Sequence, residues 1–158
     1  MNNRSALNII LGISVISLGS AYFIEYVLNY KPCNLCLIER IPYFTSTIII
    51  FLSFYLKKFE KFIFIFLSII FLVGTIISFY HFGIEQGFFE ESFVCTLINE
   101  INILNKEDLL KDLQKTIVSC KEVKFKILGL SLATINAILS LILSVITFKI
   151  FLNYEKNR

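Results

Sequence analysis

The sequence predicts an all-α membrane protein: a bundle of four transmembrane helices with two extracytoplasmic loops, the second of them long. Two observations predict this class. Hydrophobic residues make up 56% of the 158 residues and charged residues only 17%, against about 25% charged residues in typical soluble proteins. Four apolar runs are also long enough, or nearly so, to cross about 30 Å of hydrocarbon as helices. A soluble globular protein is excluded by the scarcity of charge, and a disordered chain by the abundance of aromatic and branched apolar residues.

The whole chain, residues 1–158, is predicted to be a single integral membrane domain. Each span must be helical because an unpaired backbone amide costs several kcal/mol in lipid. A cleaved signal peptide is the weaker interpretation of the first span, since its apolar run continues well past the small residues at 19–21. The net charge of +3 is too small to indicate a nucleic-acid partner. The predicted spans cover residues 6–28, 41–56, 62–82 and 128–148.

Basic residues near the span ends predict the orientation of the chain. They lie in the N-terminal segment, in the turn between the second and third spans, and in the C-terminal tail. Only Glu60 and Glu155 oppose them there. Both termini and this turn are therefore predicted to be cytoplasmic, and the loops at 29–40 and 83–127 to lie on the opposite side. The basic residues are Arg4, Lys57, Lys58, Lys61, Lys149, Lys156 and Arg158.

All four cysteines lie in these two non-cytoplasmic loops. Cys33 and Cys36 precede the second span, and Cys95 and Cys120 precede the fourth. With four spans the two loops must share one face of the membrane, where an oxidising compartment lets disulfides persist. The pairing stays open at this point, because four cysteines allow three connectivities.

Cys33 and Cys36 form a Cys-x-x-Cys motif at the membrane surface, and Arg40 follows Cys36 by one helical turn. A helix N-terminus and a nearby cation both lower a thiol pKa, which thiol exchange requires. A plain structural disulfide and a zinc site are the alternatives. A zinc site usually requires a second pair of closely spaced ligands, which Cys95 and Cys120 do not supply. Redox exchange is the favoured interpretation, and no metal is expected.

The loop between Cys95 and Cys120 is expected to carry a short amphipathic helix on the membrane surface, with its N-cap near Asn105. One disulfide closing such a loop is often only a stabilising staple. Beside a Cys-x-x-Cys on the same face, a relay between two dithiols is favoured. The alternatives are a four-span protein whose disulfides only brace its loops, and a thiol reductant that passes electrons outward. The reductant would need thiols inside the bilayer or on the cytoplasmic face, which the sequence lacks.

Three segments, in order along the chain, carry a resemblance to a known family. They read Lys-Pro-Cys-x-x-Cys-x-x-Glu-Arg at 31–40, Tyr-His-x-Gly-x-Glu at 80–85, and Cys120 followed by Leu-Gly-Leu-Ser-Leu-Ala at 128–133 and by Asn136. Over nearly its whole length the chain thereby resembles the DsbB family of bacterial disulfide-bond-formation membrane proteins. The resemblance implies a four-helix bundle in the bacterial inner membrane that supports disulfide formation in exported proteins.

By this resemblance, a periplasmic DsbA-type oxidase of thioredoxin fold gives its electrons to a Cys95–Cys120 disulfide. Cys95 would form the mixed disulfide with that partner, and Cys120 would resolve it or link transiently to Cys33. The electrons would then pass to the Cys33–Cys36 pair and on to the membrane quinone pool. Cys36, the thiol nearer the bilayer, is expected to contact the quinone, which could be ubiquinone or menaquinone.

The same resemblance implies that Arg40 stabilises the thiolate and the reduced quinone, with His81 nearby from the third span. Each has a plainer interpretation. Arg40 could be an interfacial anchor that reaches the lipid headgroups, and His81 could simply be hydrated at the membrane boundary. Glu25, Glu39 and Glu85 lie near the same boundary and are expected to be solvated or structural.

Overall fold

The computed structural model describes residues 3–54, 60–90, 95, 119–121, 126–127 and 129–156. The predicted amphipathic helix near Asn105 lies outside these residues. So do Lys57, Lys58 and Arg158, three of the basic residues that predict the orientation.

Helices dominate the described part of the chain, and four segments of it are long and apolar enough to cross a membrane. The predicted four-helix membrane bundle is thus confirmed. At 1.5 Å per residue, a helix of 24 residues extends about 36 Å, more than the roughly 30 Å of hydrocarbon. The helices are α1 Asn3–Tyr26, α2 Asn34–Ile38, α3 Ile41–Ser53, α4 Glu60–Glu85 and α5 Leu132–Lys156.

A turn at residues 39–40 separates α2 from α3, and the two helices form one span, Asn34–Ser53. Pro42 lies in the first turn of α3, where its missing N–H leaves no helical hydrogen bond unmade. The Cys-x-x-Cys motif therefore belongs to the N-terminal end of this span, rather than to a loop that ends before it.

A two-stranded antiparallel hairpin precedes the last helix. Its strands are β1 Lys126–Ile127 and β2 Leu130–Ser131, in a register that pairs Ile127 with Leu130. Gly129 has a φ of 84° in the connecting turn, a conformation that a residue with a Cβ rarely adopts. Helix α5 therefore begins at Leu132, although hydropathy alone extends the apolar run back to residue 128.

The helices pack through an apolar cluster with a few polar contacts across it. Ser14 of α1 and Ser46 of α3 share a hydrogen bond of 3.1 Å between their hydroxyl groups. Ser68 of α4 and Ser144 of α5 each donate to the other's backbone carbonyl. Small polar residues of this kind let membrane helices approach closely. The buried cluster comprises Leu7, Ile10, Tyr43, Ile50, Ile63, Phe64, Leu67, Phe71 and Leu143.

Candidate active site

The Cys-x-x-Cys pair lies at the start of α2. Cys33 is the residue before the helix, and its sulfur accepts a hydrogen bond of 3.3 Å from the backbone N–H of Cys36. The two sulfur atoms lie 2.6 Å apart and are not joined. A disulfide needs a separation of about 2.05 Å, so an acceptor of two electrons and two protons can oxidise the dithiol to a disulfide with little movement of the sulfur atoms. Cys33 is buried and Cys36 half-buried.

His81 of α4 connects this pair to a buried carboxylate. Its Nε2 lies 3.5 Å from the sulfur of Cys33, and its Nδ1–H donates to Glu39 Oε1 at 2.7 Å. The second oxygen of Glu39 accepts a hydrogen bond of 3.0 Å from Asn136 of α5, which also donates to Ser78. Residues of α4, α5 and the turn at 39–40 thus form one hydrogen-bonded network that includes the imidazole. Glu39 is buried in this arrangement and is not among the solvated residues.

Glu85 follows His81 by one helical turn and is also buried, with 7% of its side chain exposed. Its Oε1 lies 3.9 Å from His81 Nε2, on the side of the ring that faces the cysteines. Its Oε2 has no hydrogen-bond partner among the residues that the structure describes. A buried oxygen without a partner is uncommon and costs free energy.

Arg40 is held by α1 rather than by the cysteines. Its guanidinium donates to the carboxylate of Glu25 and lies over the ring of Tyr22, 4.9 Å from the ring centroid. This contact holds the C-terminal end of α1 against the start of α3. Arg40 and Cys36 nevertheless line the same cavity, so a molecule in that cavity can contact both.

Cys95 and Cys120 form a disulfide, with their Cα atoms 6.2 Å apart. Both are buried, and they belong to one apolar cluster with Cys33, Leu35 and Ile84. Side-chain Nδ2 of Asn34 also donates to the backbone carbonyl of Cys95 at 3.1 Å. The four sequence-predicted cysteines are therefore brought together at one end of the bundle. Of the three connectivities left open by the sequence, the structure contains the disulfide between the later two cysteines.

The pKa of the Cys33 thiol is lowered to about 5. The largest cause is the hydrogen bond that the Cys36 thiol gives to its sulfur, followed among the favourable causes by the hydrogen bond and positive charge of His81. Burial opposes these effects, because it penalises the charged thiolate. Cys33 is consequently the thiolate of the pair at neutral pH, the form that attacks a disulfide.

A cavity of about 360 Å³ adjoins the dithiol. Its walls are mainly apolar and come from α1 and α5, while its polar lining comes from the residues described above. Such a combination of apolar walls and a few converging polar groups is typical of a small-molecule site. The apolar lining includes Ile16, Leu18, Ala21, Ile24, Leu132, Ala133, Ile135 and Leu139, and the polar lining includes Cys36, Glu39, Arg40, His81, Glu85 and Asn136.

Glu39, Glu85 and Asn136 are the members of this site that sequence reasoning did not assign to it. One signal could have found two of them, because an ionisable residue within a membrane span is a candidate functional residue by default. Glu39 lies in the span that contains α2 and α3, and Glu85 ends the span formed by α4. Asn136 is not ionisable and was marked only by the resemblance, since its contact with Glu39 arises only when α5 packs beside the turn at 39–40.

Comparisons with known proteins agree with this architecture. The family described as disulfide bond formation protein DsbB matches residues 3–150. An uncharacterized protein of Rickettsia prowazekii (strain Madrid E), RP370, is 32% identical over 154 residues, which cover 96% of this chain and 89% of that protein. No solved structure matches the chain significantly. With four membrane-spanning helices and a family match over nearly its whole length, this multi-pass membrane protein belongs to the DsbB family of disulfide-bond-formation oxidoreductases.

Proposed function

We propose that this chain is a quinone-dependent protein-dithiol oxidase. It reoxidises a periplasmic DsbA-type oxidase of thioredoxin fold and passes the electrons through two cysteine pairs to a membrane quinone. The observation that carries the proposal is the single buried cluster that holds Cys33 with both Cys95 and Cys120, next to a cavity that Cys36 lines. Two dithiols in contact can exchange electrons by thiol–disulfide exchange.

The proposed location is the bacterial inner membrane, with both termini in the cytoplasm and the cysteines facing the periplasm. Arg4 begins the first span and Lys61 the third, whereas Cys33 immediately precedes the second. A span of more than 20 residues separates these ends by more than about 30 Å. Basic residues at one end and cysteines at the other fit the positive-inside rule and an oxidising outer compartment.

Electron transfer through the sulfur atoms proceeds by four exchanges. A thiolate of the reduced partner attacks Cys95, and the Cys95–Cys120 bond breaks to leave a thiolate on Cys120. The second thiolate of the partner attacks the mixed disulfide, so the partner leaves oxidised and Cys95 is released. Cys120 then attacks Cys33 of a Cys33–Cys36 disulfide and displaces Cys36. Finally Cys95 attacks Cys120, which restores the first disulfide and leaves Cys33 and Cys36 as the reduced pair.

The cavity fits a quinone. Apolar side chains of α1 and α5 suit a ring that carries an isoprenoid chain, and Cys36, Arg40 and His81 supply the polar contacts. A quinone bound there would supply an acceptor for the two electrons and two protons that the dithiol must lose. The DsbA–DsbB–quinone chain is itself the standard case of a compartment kept oxidising kinetically, and DsbA-type oxidases have reduction potentials of about −120 mV. Only a strong acceptor can reoxidise such a partner.

Protons are handled by the imidazole beside Cys33. His81 Nε2 takes the proton of the Cys33 thiol, and the carboxylate of Glu39 at Nδ1 balances the positive charge that the ring gains. Arg40 places a second positive charge in the cavity, oriented by Glu25. Burial of these groups keeps bulk water from competing with them, which strengthens each electrostatic contact.

Turnover of the purified protein tests the proposal. We expect that adding a reduced thioredoxin-fold oxidase and a quinone analogue causes a loss of quinone absorbance. Cys36→Ser and Cys95→Ser should each abolish it, because each removes a sulfur through which the electrons pass. Ile76→Val, on the exposed face of α4, is the matched control and should turn over normally. Normal turnover in both cysteine variants, or none in the intact protein, would refute the proposal in favour of disulfides that only brace the loops.

Trapping tests the contact between the two pairs separately. The double variant Cys36→Ser/Cys95→Ser retains one cysteine from each pair, and we expect mild oxidation to join Cys33 to Cys120 because both lie in the same buried cluster. Peptide mapping under non-reducing conditions detects the product. The control Cys33→Ser/Cys95→Ser retains the half-buried Cys36 and should form less of the corresponding disulfide. Equal yields in the two variants would contradict the proposed route through Cys33.

A further inference from the structure

We propose that the reduced Cys33–Cys36 pair, together with His81 and Glu85, forms a binding site for Zn²⁺. The site exists only when both cysteines are reduced, so metal binding and disulfide formation exclude each other. This inference assigns a metal-binding site to the chain and does not depend on the identity of the electron acceptor.

Three of the four proposed donor atoms are already gathered, and the carboxylate of Glu85 must move to join them. One ligand atom from each of Cys33, Cys36 and His81 lies within 4.8 Å of the other two. Two sulfurs bound tetrahedrally at about 2.3 Å from Zn²⁺ are roughly 3.8 Å apart, so the pair must open by about 1 Å from its separation of 2.6 Å. Cys-x-x-Cys is a common spacing for zinc ligands. The second cysteine pair that such sites often use is here replaced by side chains from α4.

The orientation of the imidazole matches that of a metal ligand. Its Nδ1–H is held by Glu39 at 2.7 Å, which leaves Nε2 as the nitrogen that faces Cys33. Asn136 fixes the other oxygen of Glu39. A carboxylate that holds the distal ring nitrogen is the usual partner of a metal-bound histidine, because it sets the tautomer and makes the free nitrogen a better donor.

Glu85 supplies the fourth ligand. Its carboxyl group is hydrogen-bonded by Ser131, yet Oε2 is buried without a hydrogen-bond partner among the described residues. The other oxygen lies 3.9 Å from His81 Nε2. A cation between this carboxylate and the two sulfurs would satisfy the orphaned oxygen and complete a donor set of two sulfurs, one nitrogen and one oxygen. Thiolate and imidazole ligands in tetrahedral geometry favour Zn²⁺ over hard cations such as Mg²⁺.

Binding has a direct chemical consequence for the dithiol. Two thiols and one Zn²⁺ give a bis-thiolate complex. The protons that the two thiols and His81 Nε2 hold between them are released to solvent, because both sulfurs and this nitrogen must be deprotonated to bind the metal. Both sulfur lone pairs that would attack a disulfide are then shared with the metal. Zn²⁺ therefore blocks the exchange reactions of Cys33 and Cys36 until a chelator removes it.

The test uses the full chain in detergent without quinone or partner protein. Cys95→Ser/Cys120→Ser serves as the parent, so that reduction exposes no other thiols. The protein is reduced anaerobically, Zn²⁺ is added, and the excess metal is removed. We expect one bound Zn²⁺ per reduced protein, and none when the remaining cysteine pair is oxidised first. Co²⁺ in place of Zn²⁺ should give thiolate-to-metal charge-transfer absorption and the intense visible bands of tetrahedral cobalt. Weak, octahedral-type bands would overturn the proposed geometry.

Variants then assign the ligands. In the same parent, His81→Asn and Glu85→Gln should each weaken Zn²⁺ binding by at least tenfold, and Glu39→Gln by about 10- to 100-fold, as expected for a residue that orients a metal ligand. Glu90→Gln is the matched control, since this carboxylate is exposed and has no part in the site, and it should bind as the parent does. Unchanged affinity in His81→Asn, or equal binding by the oxidised protein, would overturn the proposal. A chain that binds no Zn²⁺ but still oxidises its partner would leave the proposed function intact.

Discussion

Replacing His81 by Asn removes one support of the Cys33 thiolate and should change its reactivity with pH. In the structure, His81 lowers the pKa of Cys33 through a hydrogen bond and through its charge, although less than the hydrogen bond from Cys36 does. A hydrogen bond to a charged group contributes about 1.5–3 kcal/mol, and a pKa change of one corresponds to 1.36 kcal/mol. The pKa of Cys33 should therefore rise from about 5 to about 6 or 7 in His81→Asn.

Alkylation measures this change. The reduced Cys95→Ser/Cys120→Ser protein is treated with iodoacetamide across the pH range in the presence of a metal chelator, and modified Cys33 is quantified by peptide mass. Because only the thiolate reacts, the midpoint of the rate against pH reports its pKa. Cys36→Ala, which removes the largest cause, should move the midpoint further upward than His81→Asn does. A midpoint near 5 in His81→Asn would refute the assigned role of the imidazole.

Three further outcomes follow from the described contacts. The pKa of Cys33 is about 5 in the fold, against about 8.5 for a free thiol. The thiolate therefore stabilises the reduced protein fully above about pH 8.5, and this stabilisation is lost as the pH falls through about 5. The difference in melting temperature between the reduced protein and its Cys33→Ala variant should shrink over the same fall in pH. Gly74→Val should destabilise the bundle by about 1–3 kcal/mol, because a Cβ at this position would lie 3.1 Å from Pro42, whereas Gly12→Val, with open space around it, should not. Tyr43→Phe loses two hydrogen bonds to α5 and should lower the free energy of unfolding in detergent by about 1 kcal/mol. A melting curve equal to that of the unaltered protein would contradict this expectation.

The fold was predictable from the sequence because the bilayer leaves few choices. Apolar runs of this length must be helices, and parity alone brings the two cysteine-bearing loops to one face. The residue at which α5 begins was harder to predict, because hydropathy does not distinguish an apolar hairpin from an apolar helix. Gly129 is the local signal there, with its positive φ ahead of Leu132.

The partners of the charged side chains could not be predicted from the sequence. Arg40 follows Cys36 by one helical turn, and the sequence therefore predicted a contact between its guanidinium and the thiol. In the structure, the guanidinium of Arg40 instead contacts Glu25, which lies near the C-terminal end of α1. The side chain that does reach Cys33 is His81, 48 residues away in sequence. Sequence spacing captures neighbours along one helix, whereas these contacts depend on how helices meet.

The desolvation penalty of a buried ion pair can exceed its Coulombic gain, so the pairing of Glu39 with His81 is weak support for stability as such. Its effect is instead positional. The pair holds one ring nitrogen and leaves the other facing Cys33, while Asn136 ties the carboxylate to α5. If the pair served stability alone, replacing both residues by apolar ones of similar volume would leave the pKa of the Cys33 thiol unchanged. With His81 positioned in this way, the same replacement should leave the helices packed and still raise the pKa of Cys33 above about 5, because the thiolate would keep only its hydrogen bonds from Cys36. Stability and reactivity are thus separable in this site.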